Sequence, residues 1–225
     1  MRSLAQLVAG FIKTHRYCLL VLYFPLYIVT FFIIEANTPT SGYWVTDLPI
    51  DSYIPFVPQF ALFYVLWYPL FAVVGIPTMI KDGAAFRRWM YYNMFTLSAT
   101  LLLDVLIPNG QHLRPQGVEA TDLWTWILSI IWAADTPTNV FPSMHVLGCV
   151  GDILCCFDSR IFKPWHRAVI TVLCVLCMAS TVLVKQHAFI DTVGALIFIV
   201  PAFLLFYSRR FLKPRGRIGA GPAEV

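Results

Sequence analysis

Six mostly apolar stretches of up to about 25 residues divide this chain, and nothing else in it constrains the fold as strongly. A hydrocarbon core about 30 Å thick offers no partner to backbone N–H and C=O groups, so a crossing segment must be a helix of roughly 20 residues. The stretches cover residues 17–34, 56–80, 89–107, 143–157, 165–184 and 188–207, the fourth being short. A seventh, residues 123–134 (LWTWILSIIWAA), is too short to cross and suits a re-entrant or interfacial helix in the third connection. With 59% hydrophobic and 12% charged residues, no separate soluble domain is expected. The sequence therefore predicts an all-α polytopic six-transmembrane-helix bundle over residues 17–209. It is preceded by a short cytoplasmic or interfacial segment (1–16) and followed by a basic, disordered tail (210–225).

Charge fixes the sidedness. Cytoplasmic connections concentrate Lys and Arg. Six spans with both termini inside put Arg2, Lys13, Arg16, Lys81, Arg87, Arg88, Arg160, Lys163, Arg167, Arg209, Arg210, Lys213, Arg215 and Arg217 on that side. Only Arg114 and Lys185 remain outside, whereas a seventh span would move the Arg160/Lys163/Arg167 cluster outward. Trp44, Tyr43 and Tyr53 outside, with Trp89, Tyr91, Tyr92 and Trp165 inside, read as interfacial anchors. Lys13 and Arg16 interrupt the first apolar stretch, so no signal peptide is expected. Residues 4–12 fit either a helix lying in the interface or the first turn of the first span. Six cysteines in or beside apolar stretches imply no disulfide framework, and no basic face interleaved with aromatics suggests nucleic acid.

Three polar segments emerge on the outer side: residues 108–115 (PNGQHLRP), 139–146 (NVFPSMHV) and 185–194 (KQHAFIDTVG). His187 and Asp191, spaced i, i+4, would share one face at the start of the sixth span. There the carboxylate orients one ring nitrogen and leaves the other nucleophilic. Ser143 and His145 follow Pro142 at the start of the fourth span, where free amides and the helix dipole favour a phosphate. Arg114 and Lys185 supply fixed cations, which phosphoryl transfer without a metal requires. Asp152 reads as a helix-to-helix hydrogen bond and Asp104 as an interfacial carboxylate facing water. His112, Asp122, Asp135 and Asn139 read as ordinary loop polarity, with Asp122 a helix cap.

The order Arg114-Pro115, then Pro142-Ser143-Met144-His145, then His187 to Asp191, resembles the type 2 phosphatidic acid phosphatase superfamily. Met144 replaces the usual Gly and Thr181 stands where the third motif carries Arg. The bulky residue in PSMH and the Lys185-Gln186-His187 triplet are similar to the inositolphosphotransferase (inositol phosphorylceramide synthase-like) branch. The resemblance implies a metal-independent lipid phosphatase or phosphotransferase in the plasma (inner) membrane, with no cofactor. It implies His187 as nucleophile through a phosphohistidine, Asp191 as its orienter, His145 as proton donor, and Arg114 and Ser143 on the phosphate, with an alcohol or lipid acceptor possible in place of water. Lys81 and Arg88 match the spacing of the family's first motif but lie on the other side. Asp82-Gly83 with Arg87 begins a CDP-alcohol phosphotransferase signature whose later Gly and paired Asp are missing. Two other classes fit the same residues: a proton-coupled transporter or lipid carrier, and a site holding Zn²⁺ through His145, His187 and a carboxylate.

Overall fold

A computed structural model describes residues 4–39 and 41–212, and these are mostly helical. The helices are α1 (Leu4–Thr14), α2 (Tyr23–Asn37), α3 (Ala61–Val65), α4 (Trp67–Lys81), α5 (Gly83–Leu106), α6 (Leu123–Ala134), α7 (Met144–Asp158), α8 (Pro164–Leu183), α9 (Phe189–Gly194), α10 (Leu196–Phe206) and α11 (Ser208–Phe211). Helix α1 is separate from the first span: the backbone breaks at His15, and a 3₁₀ segment, Arg16–Leu22, leads into α2. The apolar stretch at residues 123–134 forms a helix with the expected bounds, N-capped by Asp122, whose Oδ1 accepts from Thr125 N at 2.8 Å. Positions 1–3 and 213–225, with Arg2 and most of the tail, lie outside the described residues.

Among the described residues four helical segments are long and apolar enough to cross a membrane: Arg16–Asn37, Pro58–Lys81, Pro164–Leu183 and Phe189–Phe206. Helices α5 and α7 fall outside that group for a physical reason. Helix α7, at 15 residues, is short, and it packs on α4, α5, α8 and α10; α5 buries polar groups on one face and leaves Leu102, Val105 and Leu106 exposed on another. Thr96, Thr100, Asn93 and Asp104 of α5, and His145, Asp152 and Asp158 of α7, are all buried. The main core joins Leu70, Val74, Phe86, Trp89, Met90, Cys149 and Cys174.

This arrangement corrects several expectations. Trp89 and Tyr92 are core residues, not interfacial anchors. Trp89 Nε1 donates to Asp152 Oδ1 at 2.8 Å, which gives Asp152 its helix-to-helix role, and Tyr92 OH donates to the Leu147 carbonyl at 3.2 Å. Asp104 is buried, not water-facing, and accepts from Asn109 Nδ2 at 3.3 Å. Arg210 is no free tail residue: it and Arg88 both bond the buried Asp158, each through Nε at 2.7 Å. Asp158 therefore ties the C-terminal end of α7 to α5 through Arg88 and to α11 through Arg210, about 20 Å along the helix from His145. The loops at the His145 end also carry a small parallel pairing of β1 (Trp44–Val45) with β2 (Asn109–Gly110), extended by a bridge from Gly110 to Thr138.

Candidate active site

The three polar segments meet at the N-terminal end of α7. Asn109 is the hub. Fully buried, it accepts with Oδ1 from the amides of Val140 and Phe141, both at 2.8 Å, while its carbonyl accepts from Asn139 N at 2.8 Å. Asn139 sits in the left-handed region (φ 54°), which Asn tolerates, and its Nδ2 donates to Glu35 Oε2 at 2.7 Å and Thr38 Oγ1 at 2.8 Å at the end of α2. Gln111 Nε2 donates to the Lys185 carbonyl at 3.0 Å, and Ser143 N donates to the Asp191 carbonyl at 3.0 Å. Each pair of segments is thus tied by at least one backbone group.

His187 lies one residue before the N-cap of α9 rather than on its first turn, because α8 ends in a tight reversal. Lys185 takes a left-handed φ of 58°, and the amides of Gln186 and His187 both return to the Thr181 carbonyl at 3.0 Å. That conformation costs a non-Gly residue roughly 1–2 kcal/mol. Lys185 is anchored in it by its own side chain, whose Nζ donates to the carbonyls of Asp51 at 2.9 Å and Ile54 at 2.6 Å. Asp51 continues the strap, its Oδ1 accepting from Phe189 N at 2.7 Å. The cation at Lys185 is therefore held on the 49–54 loop, beside the site.

The His187 ring is oriented by two oxygens. Nδ1 stands 2.8 Å from the Val140 carbonyl and 3.5 Å from Asp191 Oδ2, which fixes Nδ1 as the protonated nitrogen and leaves the lone pair on Nε2. Nε2 has no hydrogen bond among the described residues. Asp191 Oδ2 also accepts from Ala188 N at 2.7 Å, so one carboxylate caps α9 and supports the imidazole. His145 faces His187 edge-on, ring centroids 5.9 Å apart, and is sandwiched by Tyr64 at 4.0 Å and Trp67 at 4.6 Å. Trp67 can approach because Gly148 has no side chain: a Cβ there would lie 2.5 Å from the indole Nε1. Both ring nitrogens of His145 and Oγ of Ser143 are enclosed without a protein partner. The first amide of α7 to find a backbone acceptor is Leu147 N, on Ser143 O at 3.2 Å, so those of Met144, His145 and Val146 are free.

Arg114 approaches from the other side. Nη1 and Nη2 donate to the carbonyls of Asp135 and Thr136, both at 2.9 Å, and Nε has no partner. Burial pulls its guanidinium below the usual range, against the opposing pull of Asp135. Burial likewise lowers the Lys185 ammonium, against Asp51. Asp135 itself, ordinary loop polarity by its sequence, is drawn into the cluster. Its Oδ2 accepts from Gln186 Nε2 at 3.3 Å, and burial, then Glu35, push its carboxyl up to about 6 despite Arg114 and His187. His112 stands apart, its Nδ1 3.8 Å from Asp47.

No family model, curated protein or solved structure matches this chain. Function has to come from the geometry.

The structure thus brings His145, His187, Asp191 and Ser143 to one end of α7, with Arg114 bridged to them through Asp135 and Gln186, and holds Lys185 on the adjoining loop. Among the described residues no three His, Cys, Asp or Glu side chains form a metal-binding group. Sequence reading passed over Asn109, Asp51, Glu35, Tyr64 and Trp67. Asn109-Gly110 has the composition of an ordinary turn, and Tyr64 and Trp67 look like any aromatics of an apolar span. Only the i, i+3 spacing of those two hinted at a common face. A cavity of about 440 Å³ opens beside His145, lined also by Tyr27, Phe31, Tyr68, Ile131 and Asp135.

Proposed function

We propose that the chain is an integral membrane lipid phosphatase or phosphotransferase of the type 2 phosphatidic acid phosphatase kind. In this reading six helices span the plasma (inner) membrane, both termini are cytoplasmic, and the site faces the extracytoplasmic side. On that reading α5 and the short α7 complete the six as spans that carry buried polar groups. The observation that carries the chemistry is the His187 imidazole, with Nδ1 tied to the Val140 carbonyl and Asp191, and Nε2 unpartnered, edge-on to a second histidine.

In the first step Nε2 of His187 attacks phosphorus, the P–N bond forms, and the P–O bond to the leaving alcohol breaks as His145 transfers a proton to that oxygen. In the second, water or an acceptor alcohol attacks phosphorus, gives its proton to His145, and the P–N bond breaks. The growing charge on the equatorial oxygens is met by the free amides at the start of α7, by Ser143 Oγ, and by Arg114, whose Nε is available for a phosphate oxygen. Lys185 contributes through its charge while its ammonium stays on the 51–54 loop. Substrate tails remain in the bilayer.

The test is turnover by purified protein of several lipid phosphates, with and without candidate alcohols, following inorganic phosphate and new phospholipid. His187→Ala is expected to abolish both products and the acid-labile phosphoenzyme. His145→Ala should slow turnover by about 10²–10⁴-fold, the usual contribution of a general acid. Full activity in either folded variant, or substrate flux across vesicles without phosphate chemistry, overturns the reading.

A further inference from the structure

The cavity beside His145 is unusual for a phosphate enzyme because its polar end carries a negative group. Asp135 lines it, with Oδ1 taking no hydrogen bond among the described residues, and lies within electrostatic reach of Tyr27, Tyr64 and Tyr68, whose rings line the same space with Trp67. Of the nearby cations Lys185 is held elsewhere, and Arg114 offsets the carboxylate only in part, since the Asp135 carboxyl still stands at about 6. Arg114 gives both Nη groups to backbone carbonyls, and Lys185 Nζ is held on Asp51 and Ile54. A hydrocarbon tail gains nothing from a carboxylate, and a second phosphate would be repelled by it. A quaternary ammonium suits both parts of the lining, since its charge attracts Asp135 and the electron-rich ring faces while its methyl groups tolerate apolar contact.

The geometry points to a headgroup subsite: the Asp135 end of this cavity, walled by Tyr27, Tyr64, Trp67 and Tyr68, binds the trialkylammonium of a choline-type phosphodiester lipid whose phosphate lies toward His145 and His187. This deepens the proposed function and rests on it for where the phosphate lies. At about 440 Å³ the cavity accommodates such a headgroup with room to spare. The carboxyl of Asp135, pushed up to about 6 by burial first and Glu35 second, gains a counter-charge to set against both causes. The titratable groups facing it are Glu35, Arg114 and His187.

Equilibrium binding separates this inference from the chemistry. The purified full chain in maltoside detergent is titrated by calorimetry with dihexanoyl phosphatidylcholine and, separately, dihexanoyl phosphatidylglycerol, lipids that share tails and phosphodiester and differ in the headgroup. The wild type is expected to bind the choline lipid about tenfold more tightly, a difference of about 1.4 kcal/mol. In Asp135→Asn that ratio should fall to within about twofold of one, and the ratio within each protein controls for partial misfolding. Equal affinities in the wild type, or an unchanged ratio in Asp135→Asn, overturn the subsite. Turnover is followed in the same samples: preference without turnover supports the subsite and refutes the catalytic reading, while turnover without preference does the reverse.

Discussion

Replacing Asn109 by Leu tests whether the site is positioned through the backbone. Asn109 is fully buried, and its Oδ1 is the only acceptor found for the amides of Val140 and Phe141 among the described residues. Leucine has nearly the same volume, so the change leaves two enclosed N–H groups unpaired and removes the donor to Asp104. At about 1–3 kcal/mol per orphaned group, the two amides alone cost roughly 2–6 kcal/mol. In a chain of this length that lowers the unfolding midpoint by roughly 5–20 °C. The functional consequence exceeds the loss of folded protein, because Val140 also presents the carbonyl that fixes Nδ1 of His187 at 2.8 Å. If that carbonyl swings away, the ring loses its tautomer and its aim, and displacements of about 1 Å can cost on the order of 10²-fold in rate. The assay pairs thermal unfolding in detergent with turnover per folded molecule. An Asn109→Leu protein that melts with the wild type and turns over normally would show that the 139–141 segment is held by something other than this side chain.

Asp135 predicts a pH dependence. Its folded-state carboxyl is raised from 3.8 to about 6, so the folded form holds the proton more tightly, and the associated stability is present below about 4 and lost as pH rises through about 6. Asp135→Asn should therefore flatten the stability profile between those values and stabilise the protein at neutral pH by up to about 2 kcal/mol. A variant less stable than wild type at neutral pH would contradict this. Arg88→Ala tests the basic cluster at the C-terminal end of α7 against the proposed chemistry. It removes one of two guanidinium partners of the buried Asp158, and with Arg88 about a third exposed the expected cost is about 1–3 kcal/mol, with turnover per folded molecule unchanged. A selective loss of rate would return Arg88 to the active site.

Much of the architecture was readable because the bilayer reduces the problem to length and apolarity. The segment 123–134 and the bounds of α7 and α8 came out within one residue, since caps and prolines mark them in the sequence. The convergence of His145, His187 and Asp191 was also legible, from spacing and from the scarcity of basic residues in the loops that carry them. Which residues hold the site was not. Asn109, Asp51 and Glu35 act on backbone groups far away in sequence, and no local pattern records a hydrogen bond between residues 35 and 139 or 51 and 189. Trp89 and Tyr92 misled for a related reason: an aromatic at a span end has the same composition signal whether it faces headgroups or a neighbouring helix. Lys185 was read by its charge, but its conformation is what the fold uses, closing the turn that presents His187.

The serines at the two ends of α7 are held differently, and the contrast yields a prediction with an unusual sign. At the C-terminal end Asp158 is bonded by two arginines, and the neighbouring Ser159 Oγ donates to Asp82 at 2.8 Å. At the N-terminal end Ser143 Oγ, both nitrogens of His145 and Nε of Arg114 are enclosed with no protein partner among the described residues. A hydroxyl enclosed without a partner costs about 1–3 kcal/mol. Packing does not demand this, because Ala in place of Ser143 would fill nearly the same space. Under the proposed function the hydroxyl donates to a ligand oxygen, with Arg114 and His145 donating to the same anion. Ser143→Ala should accordingly leave stability unchanged or raise it by up to about 1 kcal/mol while lowering kcat/KM for lipid phosphates by roughly tenfold, the value of one hydrogen bond to a charged group. Ser159→Ala, where the hydroxyl is already satisfied by Asp82, should do the opposite: lower stability and spare the rate. If Ser143→Ala destabilises the protein and leaves kcat/KM intact, its hydroxyl belongs to the fold, and the anion-binding role given to this end of α7 fails with it.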